Sequence, residues 1–234
     1  LSMGWDSPYI DGGAFGYCSN LKSVTIRSKT VGDYAFANCE SLRSVTFMND
    51  VSEIGACAFI KCGSLDTVTF NATVYKISVL AFGECTSLRS IKLPAGLTVL
   101  GSQVFSKCSN LSQIKISSGA LLADVDVGAF YGASVQSFEV EDGNKYLSSE
   151  NGVLYDRAKK RLIAYPYQSR YLSFKAPDSV KTIGKSAFSN VFILNQIDLN
   201  NVEYIETSAF ANAKSYNYSS AMLTSGVKNT LEIV

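Results

Sequence analysis

The sequence predicts a mainly β repeat solenoid, and three observations predict it. A phrase of the form Ala-Phe-x-x-Cys-x-x-Leu-x-x-Val-x-Phe/Ile, clearest from Ala58 to Phe70, is written again and again. Its Phe falls at 15, 36, 59, 82, 105, 130, 188 and 210, so all but one of the steps lie between 21 and 25 residues. Self-similarity at such a period marks stacked supersecondary units. Finally, the phrase ends in a strict apolar-polar-apolar alternation, the pattern of a half-buried strand.

Each slot of the unit has a structural reason. The lead-in residues Ile10, Val31, Ile54, Ile77, Leu100, Val125, Ile183 and Ile205 precede each Phe by a short turn, often opened by Gly. The Leu slot reads Leu21, Leu42, Leu65, Leu88, Leu111, then Val135 after a one-residue deletion, then Leu194. The strand that follows carries inward pairs such as Val24 and Ile26, Val45 and Phe47, Val68 and Phe70, Ile91 and Leu93, and Ile114 and Ile116. One unit cannot bury this face alone. Stacking at roughly 4.8 Å per strand builds a parallel sheet with a continuous core behind it, and eight coils extend over roughly 40 Å.

The composite Ile-Gly-x-x-Ala-Phe-x-x-Cys-x-x-Leu-x-x-Val-x-Ile, as in Ile54-Gly55 through Phe70, resembles the leucine-rich repeats of BspA-like bacterial surface proteins, the type also found in treponemal and trichomonad proteins. The resemblance implies a right-handed leucine-rich-repeat superhelix with a parallel concave sheet. It also implies an extracellular or cell-surface location and adhesion to host matrix or other surface macromolecules.

Copies one to five, from about 10 to 118, are regular; copy six, Val125 to Val140, has Asp126 where the lead-in Gly belongs. The 58-residue step that follows equals one period plus about 35 residues. Within this insertion, about 141–177, the runs Gly152–Asp156 and Arg161–Pro166 flank the polar turn Arg157-Ala158-Lys159-Lys160, which reads as a β-hairpin. A Gly-Val-Leu-Tyr … Leu-Ile-x-Tyr-Pro insert is also a companion of these repeats in the family resembled. Repeats resume over about 178–212, and about 213–234 reads as an atypical cap with a last strand at Leu231–Val234. The expectation is a single elongated domain over 1–234, cut from a longer surface protein.

Lys and Arg number 21 against 20 Asp and Glu, which gives no electrostatic case for nucleic acid or an anionic membrane. No window approaches 18 consecutive apolar residues, and the start lacks a signal-peptide pattern. Five of the six cysteines, Cys18, Cys39, Cys62, Cys85 and Cys108, share one slot. Equivalent positions on stacked coils hold their Cβ atoms about one strand spacing apart, too far for a disulfide, so a file of buried free thiols is expected. Ala133, Val191 and Ala213 in the same slot fit a packing role. Cys57 lies off the file, and the sequence assigns it no role.

The chain has no His, which removes Ser-His-Asp and Cys-His nucleophile systems and the commonest metal ligand. No phosphate-cradling Gly motif is present, and Cys57 with Cys62 makes a poor zinc pair without further ligands. The carboxylate pairs Glu139 with Glu141 and Asp124 with Asp126 read as solvated charges rather than the acid and base of a hydrolase. Sequons at Asn71, Asn110 and Asn217 matter only in a eukaryotic host. No catalytic residue, metal or cofactor is expected.

What remains is surface. Outward strand positions run from Ser23, Thr25, Ser44, Thr46, Thr67 and Thr69 through Lys92 and Lys115 to Glu139 and Asp198. The expected binding residues are Thr46, Thr69, Lys92, Lys115 and Glu139 on the concave sheet, for an extended or acidic protein partner, with Tyr155 and Tyr165 of the insertion as an aromatic patch. The alternatives are ordinary β-surface, with the tyrosines gluing the insertion to the solenoid, and an architectural spacer with no ligand. A carbohydrate-binding module is disfavoured because no aromatic row occupies the outward slots.

Overall fold

The computed structural model describes residues 8–213. In chain order the strands are β1 (Tyr9–Ile10), β2 (Ser23–Ile26), β3 (Thr30–Val31), β4 (Ser44–Phe47), β5 (Val51–Ile54), β6 (Thr67–Phe70), β7 (Val74–Ile77), β8 (Ser90–Leu93), β9 (Val99–Leu100) and β10 (Gln113–Ile116). After a 3₁₀ turn at Val127–Phe130 come β11 (Ser137–Val140), β12 (Leu147–Glu150), β13 (Val153–Asp156), β14 (Arg161–Ala164), β15 (Ser173–Lys175), β16 (Thr182–Ile183), β17 (Gln196–Asp198) and β18 (Tyr204–Ile205). Each regular coil contributes one lead-in strand and one strand of the concave sheet. The lead-in strands form a parallel sheet β1-β3-β5-β7-β9 in which Val31, Ile54, Ile77 and Leu100 share one register. The expected solenoid of parallel sheets is what the chain forms.

Between the two strands each coil turns through the Ala-Phe segment. The Phe amide donates to the Ala carbonyl of the next coil, as from Phe36 to Ala58 at 2.7 Å and from Phe59 to Ala81 at 2.8 Å. The turn needs a left-handed residue on each side of the Phe. In coil three these are Cys57 (φ 55°) and Lys61 (φ 59°), in coil four Leu80 (φ 55°) and Glu84 (φ 59°). Non-glycine residues there store backbone strain that the stack holds in place. Cys57, with no assignable role in the sequence, is thus a buried turn residue in the same slot as Tyr34.

The rings stack in file. Phe15, Phe36, Phe59 and Phe82 lie parallel at centroid spacings of 5.2 Å, and Phe105 and Phe130 continue the row at 5.9 and 5.8 Å. Beside them the thiols of Cys39, Cys62, Cys85 and Cys108 donate to the carbonyls of Phe15, Phe36, Phe59 and Phe82 at 3.1 to 3.2 Å. The slot therefore asks for a small apolar side chain that can also give a weak hydrogen bond, which Cys does. Burial pushes the Cys85 thiol up, and that of Cys108 to about 12, so neither is a nucleophile at neutral pH. Cys18 is exposed, unlike its four counterparts.

The insertion corrects one sequence expectation. The anticipated hairpin exists as antiparallel β13 and β14, but β12 adds a third strand, antiparallel to β13, that the sequence did not announce. More consequentially, β14 pairs in parallel with β16, and β15 with β17. Tyr165 donates its amide to the Ala187 carbonyl at 2.8 Å and stacks on Phe188 at 5.0 Å, which is what a Phe does in every regular coil. Tyr165 precedes Phe188 by 23 residues, so a ninth coil lies inside what the period read as an interruption. Phe130 and Tyr165 are 35 residues apart, only 12 more than one period.

Two side chains fasten this region. Buried Asn144 donates through Nδ2 to Ser117 O and Ala120 O at 2.9 and 3.1 Å, and its Oδ1 accepts from the amides of Tyr146 and Leu147 at 2.9 Å. Arg161 gives a two-pronged bond to Glu206, both arms 2.8 Å, and a third to Asp124 at 2.9 Å, so one guanidinium ties coils on both sides. The Arg161 bonds hold the Glu206 carboxyl below its usual range. The core divides here into one cluster from Ile10 to Ala164 and another from Val153 to Ala209, with Tyr167 packed against both. In coil six the Asp126 side chain accepts from the Gly128 amide and caps the 3₁₀ turn, so no lead-in strand follows β9 there. The expected cap from 214 onward, with Leu231–Val234 and Asn217, lies outside the described residues.

Candidate binding surface

The concave sheet exists, in three sections: β2-β4-β6, β8-β10-β11 and β15-β17. Across the first, Thr25, Thr46 and Thr69 stand in one row; across the second, Lys92, Lys115 and Glu139 do. Five of the seven expected site residues thus face outward along one ribbon. Their inward neighbours Val45, Ile91, Ile114 and Phe138 are buried, so the alternation fixes which side chains are offered.

Electrostatics change the expected reading of the lysines. Lys92 pairs with Glu141, and Lys115 lies 3.3 Å from Glu139, which also accepts from Gln113 Nε2 at 3.1 Å. Lys92, then the Ser118 amide, hold the Glu141 carboxyl below its usual range. The lysines and acids that succeed one another along the strip in the sequence answer each other across it, so Lys92 and Lys115 do not form a free basic patch for an acidic partner. Such exposed pairs are worth about 0–1 kcal/mol each and exchange readily with a partner's charges.

The two breaks between sections open clefts. No ladder joins β6 to β8 among the described residues, although the lead-in strands β5, β7 and β9 remain paired behind them. In β6 both inward residues, Val68 and Phe70, are half-exposed, whereas those of β2, β4, β8 and β10 are buried. The cleft measures about 550 Å³, with Asp50, Thr69, Thr73 and Lys92 on its walls. The Thr73 amide donates to Asp50 at 2.9 Å, while Thr73 Oγ1 is buried without a partner. Two expected site residues, Thr69 and Lys92, are therefore brought to one cleft that nothing in the sequence announced.

The tyrosines depart from expectation. Tyr155 and Tyr165 are each 2% exposed and belong to the second core cluster, so they form no exposed patch; Tyr165 fills a core ring slot and bonds Ser169 at 3.1 Å. They instead underlie a second cleft, of about 560 Å³, between the hairpin and β15. The exposed aromatics of this region are Tyr146, Tyr171 and Phe192. Among the described residues there is no cluster of three or more His, Cys, Asp or Glu side chains able to hold a metal, and no helix long and apolar enough to cross a membrane.

Comparison with solved structures places the fold among bacterial repeat proteins. A leucine-rich repeat protein from Eubacterium ventriosum superposes with a TM-score of 0.71 at 25% identity, over 91% of this chain and 57% of that one. The pneumococcal vaccine antigen PcpA gives 0.53 at 25% identity, over 83% and 47%. The leucine-rich repeat protein of T. pallidum gives 0.52 at 21%, over 92% and 84%. The chain thus spans about half the length of the first two. No curated protein sequence matches significantly. The family description "BspA type Leucine rich repeat region" matches in six copies over residues 29–151 and 164–231. With its ring file, its thiol file and this match over most of its length, the chain belongs to the BspA-type leucine-rich-repeat family.

Proposed function

We propose that this chain is a non-catalytic recognition segment of a bacterial cell-surface protein and binds another protein through its concave sheet, 1–234 acting as one elongated unit. The observation that carries this reading is the ribbon from Thr46 and Thr69 to Lys92, Lys115 and Glu139. Within each of its two sections its polar side chains stand at strand spacing on a stack of buried rings, with Lys115 paired to Glu139 and Lys92 to Glu141. Solenoids use such extended surfaces for binding, and a partner that swaps its own charges into the Lys-Glu pairs gains register at little cost. Similarity to a pneumococcal vaccine antigen supports the surface location. The partner class is a protein, either host matrix or another surface macromolecule.

The test is binding to a panel of immobilised extracellular-matrix proteins, comparing wild type with the double variant Lys92→Glu, Lys115→Glu. The proposal expects at least one partner whose affinity falls about tenfold or more in the variant, while the melting temperature holds. Binding that ignores the reversal contradicts the concave site, and a protein that binds nothing on the panel behaves as a spacer.

A further inference from the structure

The second cleft has features the concave ribbon lacks. Tyr155 is among its lining residues and almost fully buried, yet Tyr155 Oη makes no hydrogen bond to any described residue. Burial first, and then the negative charge of Glu150, hold that hydroxyl in its protonated form well above its ordinary range. Two carboxylates stand on the walls, each with one oxygen spare. Glu150 Oε2 accepts from Lys159 Nζ at 2.6 Å and Asp178 Oδ1 accepts from Asn200 Nδ2 at 2.6 Å. Lys175, the cation in the lining, faces Asp198 at 3.8 Å. Exposed Tyr171 stands at the rim.

One wall is a bare strand edge. Among the described residues β15 pairs only with β17: the Leu172 carbonyl accepts from Asn195 at 2.7 Å and the Ala176 amide donates to Asp198 at 2.8 Å. Alternate residues of a parallel strand bond to opposite sides, so Ser173 and Lys175 direct their amides and carbonyls towards the cleft. Such an edge is a template for another strand.

We propose that this cleft takes an extended segment of a partner protein, which adds a strand to the free edge of β15 and lowers one Lys or Arg side chain onto Tyr155, Glu150 and Asp178. The unused carboxylate oxygens and the unpartnered phenol oxygen accept from the cation, and the aromatic surface of Tyr171 adds a cation–π contact. Backbone pairing supplies the affinity and the pocket supplies the preference for a basic residue. This inference rests on the reading of the chain as a protein binder but places a second contact away from the concave lysines.

The experiment uses the whole chain and an immobilised library of extended hexapeptides in which one position is fixed as Arg, Lys, citrulline, Glu or Leu. Arg and Lys peptides are expected to bind at least about tenfold better than citrulline and Glu peptides, because hydrogen bonds to a charged group are the stronger ones. N-methylation of the peptide backbone should abolish binding. Tyr155→Phe, which removes one oxygen and should leave the melting temperature nearly unchanged, and Glu150→Gln should each erode the basic preference, while Lys92→Glu should not. Equal binding of Arg and citrulline peptides, or a basic preference that survives both cleft variants, overturns the proposal. If no hexapeptide binds but a matrix protein does, the cleft fails and the concave-sheet reading stands.

Discussion

The first five coils and the coil built on Tyr165 perform the same structural task with different residues. In the regular coils the ring slot is always Phe, the small slot is Cys and the leucine slot is Leu. In the Tyr165 coil the last two positions hold Gln168 and Tyr171, and only Ala164, Tyr165, Phe174 and Ala176 keep the pattern. Yet β14 and β15 pair in parallel and in register with β16 and β17 of the following coil. The ring stack and the backbone ladder thus define a coil, and the thiol and leucine slots can be given up when Asn144, Arg161 and Tyr167 replace their contribution.

The sharpest way to break this comparison is to remove the rings. Phe59→Ala should cost about 3–5 kcal/mol in denaturant unfolding, and Tyr165→Ala a similar amount if Tyr165 is a true ring of the stack. Tyr165→Phe should stay within about 1 kcal/mol of wild type, losing only the bond to Ser169. A small loss for Tyr165→Ala would make it mere filler. Next in size, Asn144→Ala removes four bonds to backbone groups, leaving the Ala120 carbonyl and the Leu147 amide buried without them, and should cost at least about 2 kcal/mol, although no regular coil depends on such a residue.

Arg161→Met should cost about 1–2 kcal/mol, discounted because Glu206 is partly solvated. Its signature lies in pH. Glu206 titrates lower in the folded protein than in the unfolded chain, so the contribution of its pair is full above the ordinary Glu value of about 4.3 and is lost as pH falls through the lower folded value. Acid unfolding curves of the variant should therefore fall less steeply in that window. The smallest effect is expected at a left-handed turn position. Lys61→Asn, which imitates Asn38 and Asn190 in the same slot, should stabilise by about 0.5 kcal/mol.

These differences also explain what could be read from the sequence. Phe, Cys and Leu recur because identical neighbours impose identical environments, so the ring file, the thiol file and the outward strand positions were all legible. The Tyr165 coil was hidden because two of its slots carry polar or exposed residues; the usable signal was Ala164-Tyr165 standing 23 residues before Ala187-Phe188. The cleft between β6 and β8 left no trace, since Val68 and Phe70 continue the alternation of coils whose sheet is closed. Glu141 as the partner of Lys92 was equally invisible. That pairing joins positions 49 residues apart that only the stacking of coils brings together.

The claim beneath all of this is that equivalent residues lie in file through the stacked coils, and counting thiols tests it most directly. Under native, non-reducing conditions one cysteine, Cys18, should react promptly with a thiol reagent, while Cys39, Cys57, Cys62, Cys85 and Cys108 stay protected. After unfolding without reductant all six should react. Fewer than six in the unfolded protein, or ladder thiols that react as fast as Cys18 in the native one, would contradict the stack.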